Sequence, residues 1–257
     1  MNVPELPEVE AARRYLHERI IDRRIVNVTI LDRKMQDGEG DLASMLRRRK
    51  VMGTARHGKH LFLVLDRGAL RVHLGMSGSV HVLASDEATS HQRLRLELDQ
   101  GSLVLDDPRR FGRFQYVDDI RSFVERKGLG PDALSIGMEE FFSRVSGRRK
   151  AIKAVLLDQT VLAGVGNLYA DEVLFQEKIA PSRPPISLTE DELSGIWSRI
   201  GEVLRASIDA ESDLDLLPDG YLLKDRRKGG KCPRCGDRLQ VMTVGGRTSV
   251  LCPSCQR

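Results

Sequence analysis

The sequence predicts an α+β multidomain chain: an N-terminal helix and a β-sandwich or barrel, then a helical block, then a C-terminal zinc ribbon. Three observations carry this. Short β-rich runs fill the chain from Ile25 to about Val117, the periodicity turns helical beyond a Gly/Pro-rich stretch at 126–135, and all four cysteines fall in the last 26 residues as two CxxC pairs. With 257 residues, 40% of them hydrophobic, the chain should hold about two domains on the prior of roughly 100–200 residues per domain; one domain is compatible with that length, and the motifs favour more. The boundaries expected from these shifts are 1–125, 132–222 and 228–257.

Pro7 suits an early helical position, and Val9, Ala12, Leu16 and Ile20 follow at helical spacing, so residues 7–21 read as an amphipathic helix. The runs "IVNVTILD", "HLFLVLD", "LRVHLGM", "SVHVLA" and "LRLELDQGSLVL" read as strands, the last as a hairpin turning at Asp99–Ser102. After the linker "RKGLGPDALS", residues 149–158 place Ile152, Val155 and Leu156 on one face; "VLAGVGN" interrupts with glycines and "LYADEVLFQEKI" resumes as a helix. Thr189 and Glu192 form a T-x-x-E capping box ahead of a helix carrying Leu193, Ile196, Ile200, Val203 and Leu204 and ending near Asp209. The stretch "AESDLDLLPDGYLLKDRRKGG" has no clean period.

The 41 basic and 37 acidic residues leave a net charge of +4, mild but compatible with a polyanionic partner. No run reaches the roughly 18 apolar residues of a membrane span, and the start has no basic-then-apolar export pattern. The expectation is a soluble, intracellular chain, and in a reducing compartment two CxxC pairs favour metal over disulfides.

Cys232, Cys235, Cys252 and Cys255 form C-x2-C-x16-C-x2-C, the spacing of a four-thiolate site for one structural Zn2+, since four thiolates leave no open position for water. Between the pairs, "RLQVMTVGGRTSVL" reads as a hairpin turning at Gly245 and Gly246. It puts Arg247 at the tip, either as a phosphate contact or as a solvated turn arginine. Asn167 begins a helix, where free N–H groups favour a phosphate, or where it is an ordinary capping asparagine. Met76 in "HLGMSGS" and Phe111 in "DDPRRFGRF" are either wedges for a base stack or core residues, and Lys59 stands at a strand start, the usual place of a solvated lysine.

Together, "PELPEVE", the "GK" at 58–59, "HLGMSGS", "DPRRFG", "AIKAVLLDQTVLAGVGNLYADE" and the terminal CxxC pairs resemble the bacterial formamidopyrimidine-DNA glycosylase family, in that family's order and over nearly the whole chain. "PELPEVE" and the "HLGMSG" and "DPRRFG" motifs lie nearer this branch than its endonuclease VIII sister. The resemblance implies a helix plus β-sandwich, a helix-two-turn-helix domain and a zinc finger, gripping damaged double-stranded DNA as a cytoplasmic, bacterial monomer. It also implies a bifunctional DNA glycosylase and AP lyase that removes oxidised bases, purines foremost, by β,δ-elimination. Pro4 matches the nucleophile, Glu5 the acid that assists sugar-ring opening, Lys59 the residue that donates a proton in β-elimination and contacts phosphate, and Arg247 the finger arginine tied to δ-elimination. Met76, Arg109 and Phe111 match the trio that fills the emptied duplex. His73 and Asn167 match phosphate ligands, and His91, Arg148 and Lys153 fall at or near other DNA contacts. An α-amino group of pKa ~8 is a usable nucleophile near neutrality.

Two features depart from the pattern. The segment between Ile208 and Cys232 is shorter than the family's glycine-rich one, which leaves 8-oxoguanine, a formamidopyrimidine, a hydantoin or an abasic site as substrates. As written, Pro4 follows Met1, Asn2 and Val3, so its nitrogen is an amide and cannot attack. The expectation is that Val3 reflects a GUG start read as Met, so that trimming exposes Pro4. A non-catalytic binder of damaged or bent DNA is the competing reading, and a zinc-ribbon RNA binder a third.

Overall fold

A computed structural model describes residues 3–85 and 87–257; Met1 and Asn2, on which the expected trimming bears, lie outside the described residues. The chain divides into two compact units, one up to Gly128 and one from Leu129 to Arg257.

The first unit opens with α1 (Leu6–Ile20). Glu5 caps it through a capping box with Glu8: the Glu5 N–H donates to Glu8 Oε2 at 2.8 Å and the Glu5 carboxylate accepts from the Glu8 backbone. Eight strands follow: β1 (Ile25–Ile30), β2 (Val51–His57), β3 (His60–Leu65), β4 (Ala69–His73), β5 (Ser79–Leu83), β6 (Gln92–Leu98), β7 (Ser102–Asp106) and β8 (Arg113–Val117). They form two antiparallel four-stranded sheets, ordered β1-β6-β7-β5 and β2-β3-β4-β8. Alternation explains the pairing: in β6, Leu94, Leu96 and Leu98 are buried between Arg93, Arg95 and Glu97. One apolar cluster takes Leu16 and Ile20 from α1, Leu63 and Leu70 from one sheet, and Leu96 and Leu105 from the other. The β6–β7 hairpin turns at 99–101, as its sequence predicts. Two helices without a sequence forecast, α2 (Leu42–Leu46) and α3 (Ile120–Arg126), complete the unit. Phe123 of α3 stacks edge-on against Phe62.

The second unit holds α4 (Met138–Val145), α5 (Ile152–Leu157), α6 (Asn167–Gln176), α7 (Glu190–Asp209) and a hairpin of β9 (Gln240–Val244) and β10 (Arg247–Leu251). The Thr189/Glu192 capping box of α7 is present, with Thr189 Oγ1 accepting from the Glu192 N–H at 3.1 Å. Gln159 builds the turn between α5 and α6: its amide donates to the Leu157 and Val165 carbonyls and its oxygen accepts from the Gly164 N–H. Gly164 sits at φ 117°, where only glycine is comfortable. The helices and the cysteine hairpin share an apolar cluster of Phe175, Leu222, Leu239 and Val250. No helix among the described residues is long and apolar enough to cross a membrane.

Candidate functional site

In the first unit, Pro4 is buried immediately ahead of Glu5, which is 2% exposed at the head of α1. Lys59 follows Gly58 in the two-residue turn between β2 and β3, with Gly58 at φ 54°.

His73 ends β4. Its Nδ1 accepts from the Gly75 N–H at 3.0 Å, so the ring proton sits on Nε2, leaving an N–H donor on its other edge. Burial first, then the Arg71 charge, lowers His73 to about 4. The same causes lower His60, stacked 5.0 Å from it, to about 2. Both rings are therefore neutral near pH 7. Arg71 is itself held by Asp37, Nη1 to Oδ2 at 2.9 Å, and donates to His60 Nδ1 at 3.1 Å.

The loops bearing Met76 and the Arg109–Phe111 strip are organised by Asp107, which is fully buried. One carboxylate oxygen accepts from Ser77 Oγ at 2.6 Å and the Arg109 N–H at 3.2 Å; the other accepts from the Gly112 N–H at 2.8 Å. A Cβ on Gly75 would lie 2.5 Å from the Gly112 nitrogen, so glycine is what lets the loops touch. Phe111 is half exposed, with the Arg109 guanidinium 5.1 Å from its ring centre. Phe111 thus lies outside the core on a braced loop, while Met76 is half-buried. His91 is exposed, its N–H held by Asp106 Oδ2 at 2.7 Å. Asp107 escaped sequence reasoning, although "DDP" is a turn-initiating signal that could have found it.

In the second unit, Asn167 is the first residue of α6, with Gly166 as the N-cap. Its Oδ1 is enclosed without a hydrogen-bond partner among the described residues. Arg148 is exposed beside Lys150 in a pocket that Ala151, Ala154, Val155, Asp158 and Gly245 also line. Lys153, expected at or near a DNA contact, is fully buried: its Nζ pairs with Asp171 Oδ1 at 2.6 Å and donates to the Thr248 carbonyl at 3.0 Å. Arg247 is exposed at the start of β10, beside Gly245 (φ 57°) and Gly246 (φ 74°), the two positive-φ positions of a tight hairpin turn.

The sulfurs of Cys232, Cys235, Cys252 and Cys255 all lie within 4.8 Å of one another, with Cys232–Cys255 at 3.9 Å and Cys235–Cys252 at 3.5 Å. Four thiolates about 2.3 Å from a tetrahedral zinc stand roughly 3.8 Å apart, so the cluster fits one structural Zn2+.

Family models match along the chain: formamidopyrimidine-DNA glycosylase N-terminal domain over residues 3–114, formamidopyrimidine-DNA glycosylase H2TH domain over 128–215, and a zinc finger found in FPG and IleRS over 229–257. The chain is 37% identical to the formamidopyrimidine-DNA glycosylase of Laribacter hongkongensis, covering 99% of this chain and all of that one. It is 35% identical to that of Thermus thermophilus, over 99% and 98% of the two chains. Among solved structures, Lactococcus lactis formamidopyrimidine-DNA glycosylase bound non-covalently to DNA with an AP site superposes with a TM-score of 0.90 at 30% identity, over 99% and 100% of the two chains. The Lactococcus protein bound to DNA containing FAPY-dG gives 0.89 at 31% identity, over 98% and 100%.

Proposed function

The chain belongs to the formamidopyrimidine-DNA glycosylase family, base-excision-repair glycosylases with AP lyase activity, and on that premise we propose which of its residues carry the chemistry. The nucleophile is Pro4, with its amine exposed by removal of the residues ahead of it. The substrate is double-stranded DNA with an oxidised purine or an abasic site, and the chain acts on it as a monomer in the bacterial cytoplasm.

The secondary amine attacks C1′ of the damaged nucleotide, the glycosidic bond breaks, and Glu5 supplies the proton that opens the sugar ring. The resulting iminium is an electron sink: loss of a proton from C2′ expels the 3′ phosphate, with Lys59 as proton-transfer group, and a second elimination expels the 5′ phosphate, with Arg247 assisting. His73 offers its Nε2–H to a backbone phosphate, and Asn167 stands as the first residue of α6, where the positive end of the helix dipole favours a second one. Met76, Arg109 and Phe111 fill the gap left by the extruded nucleotide, and His91 and Arg148 are further phosphate contacts. Bound zinc would hold the hairpin that presents Arg247. The half-exposed Phe111, braced by Asp107 beside Arg109, carries this reading most directly, because a solvent-facing aromatic on a rigid loop suits a gap in stacked bases.

The test is base release from duplexes carrying 8-oxoguanine, a formamidopyrimidine or a hydantoin, followed by chromatography. The expected result is free oxidised purine and a one-nucleotide gap flanked by phosphates. Binding of these duplexes without release would overturn the assignment.

A further inference from the structure

Glu10 joins the helix headed by Pro4 to the turn that carries Lys59. It lies inside α1, five residues beyond Glu5, and is 8% exposed. Its carboxylate collects three guanidinium groups. Oε1 accepts from Arg13 Nη2 at 2.8 Å and Arg14 Nε at 3.2 Å; Oε2 accepts from Arg13 Nε at 2.9 Å and Arg56 Nε at 3.1 Å. Burial alone would raise this carboxyl, but the Arg13 and Arg56 guanidinium groups outweigh it and hold the pKa below the usual value.

The Arg13 and Arg14 contacts span three and four residues and support the helix locally. The Arg56 contact is different, because it reaches across 46 residues from α1 to β2. The Arg56 side chain is 9% exposed, and its Nη1 donates to the Gly58 carbonyl at 3.1 Å. That carbonyl belongs to the peptide linking Gly58 to Lys59. An unbroken path therefore runs from the carboxylate of α1, through a planar two-pronged guanidinium, to the backbone of the Lys59 turn.

We propose that Glu10 is a positioning residue: acting through Arg56, it sets the Gly58–Lys59 turn against the end of α1 that presents Pro4 and Glu5. This rests on the reading of Lys59 as a proton-transfer group. A helix and a tight hairpin are stiff, so one buried link between them restrains the backbone from which the lysine projects. Misplacing a reacting group by about 1 Å costs on the order of a hundredfold in rate. The chemistry selects the pair of residues: a lysine at 56 would keep the charge but could not bond the carboxylate and the Gly58 carbonyl at once in a fixed plane.

The test compares Glu10→Gln, Arg56→Lys, Arg14→Gln and Lys59→Gln in the active form of the chain. It measures single-turnover cleavage at a preformed abasic site, the borohydride-trapped adduct, duplex affinity and melting temperature. Glu10→Gln and Arg56→Lys are expected to slow cleavage about ten- to a hundredfold, like Lys59→Gln, while the trapped adduct and affinity stay within about twofold of the parent. Arg14→Gln, which shares the carboxylate but not the path to Gly58, is expected to cleave at the parent rate. If Lys59→Gln is slow while Glu10→Gln and Arg56→Lys are not, the positioning role is overturned and the Lys59 reading survives. Parallel loss of trapping and cleavage in Glu10→Gln would also overturn it, by showing general damage to the fold. If Lys59→Gln itself cleaves at the parent rate, both fall.

Discussion

Asp171 and Lys153 form an ion pair at 2.6 Å with both side chains fully buried, and the second oxygen of the same carboxylate accepts the backbone N–H of Val250 at 3.0 Å. Arg226 completes the cluster, with Nη2 2.6 Å and Nε 2.9 Å from Asp171 Oδ2. One acidic residue of α6 thus clamps β10 three residues from Arg247, while Lys153 holds the Thr248 carbonyl. Replacing Asp171 with alanine takes the counter-charge from two cations and is expected to lower the stability of this unit by about 3 kcal/mol, since breaking a buried pair costs ~3–5 kcal/mol. Denaturant unfolding followed by the fluorescence of Trp197, the one tryptophan of the chain, checks this. The double change Asp171→Leu with Lys153→Met is expected to recover only part of the loss, because Arg226 and the Val250 N–H still lack their acceptor.

The two units should respond to pH with opposite sign. In the first, His73 is lowered to about 4 and His60 to about 2 from 6.5. Below pH 6.5 the unfolded chain binds protons that the folded rings refuse, so stability falls as pH drops from 6.5 toward 4, by at most about 1.4 kcal/mol per group per pH unit. In the second, burial raises Glu172 to about 7 from 4.5, against hydrogen bonds from Gln176 and the Leu223 and Leu222 backbone. Between pH 4.5 and 7 the folded state keeps a proton that the unfolded chain has lost, so stability falls as pH rises. Amide exchange resolved by residue is expected to show both slopes. Glu172→Gln should flatten the second alone.

Zinc removal should act through the hairpin. The chain is expected to bind one zinc, released by a mercurial reagent and counted with a metallochromic dye. Cys252→Ser, at a fully buried position, should abolish it. Structural zinc is worth about 10–16 kcal/mol in isolated fingers, so the metal-free chain is expected to lose order at β9–β10 and affinity for abasic duplex, while the first unit keeps its melting behaviour.

Local signals made much of this legible. The α1 helix, the β6–β7 hairpin, the Thr189 capping box, the helix starting at Asn167 and the two cysteine pairs each rest on spacing within a dozen or so residues, and the structure has them within a few residues of where the sequence predicts. The short helices α3 and α4 lack enough turns for a period to stand out in charged surroundings. Lys153 illustrates a harder limit. It sits beside Ile152 on a helix with an apolar face, and a lysine reads as solvent-facing unless its counter-charge is known, but Asp171 lies on another helix. Glu10 and Asp107 are hidden for the same reason, since partners such as Arg56 and Ser77 meet them only after the sheets form. Exposed Phe111 was legible only as one of two alternatives, because a sequence motif does not say which way a ring faces.

Borohydride trapping shows whether the Pro4 amine does the chemistry, because it reduces the iminium to a stable covalent bond. Chain beginning at Pro4 and chain beginning at Met1 are each incubated with an abasic duplex and borohydride, then resolved by denaturing electrophoresis and mass spectrometry. A covalent adduct mapped to Pro4 is expected with the first protein and none with the second. No adduct with either, while both bind the duplex, would contradict it and leave a DNA-binding protein without base-excision chemistry.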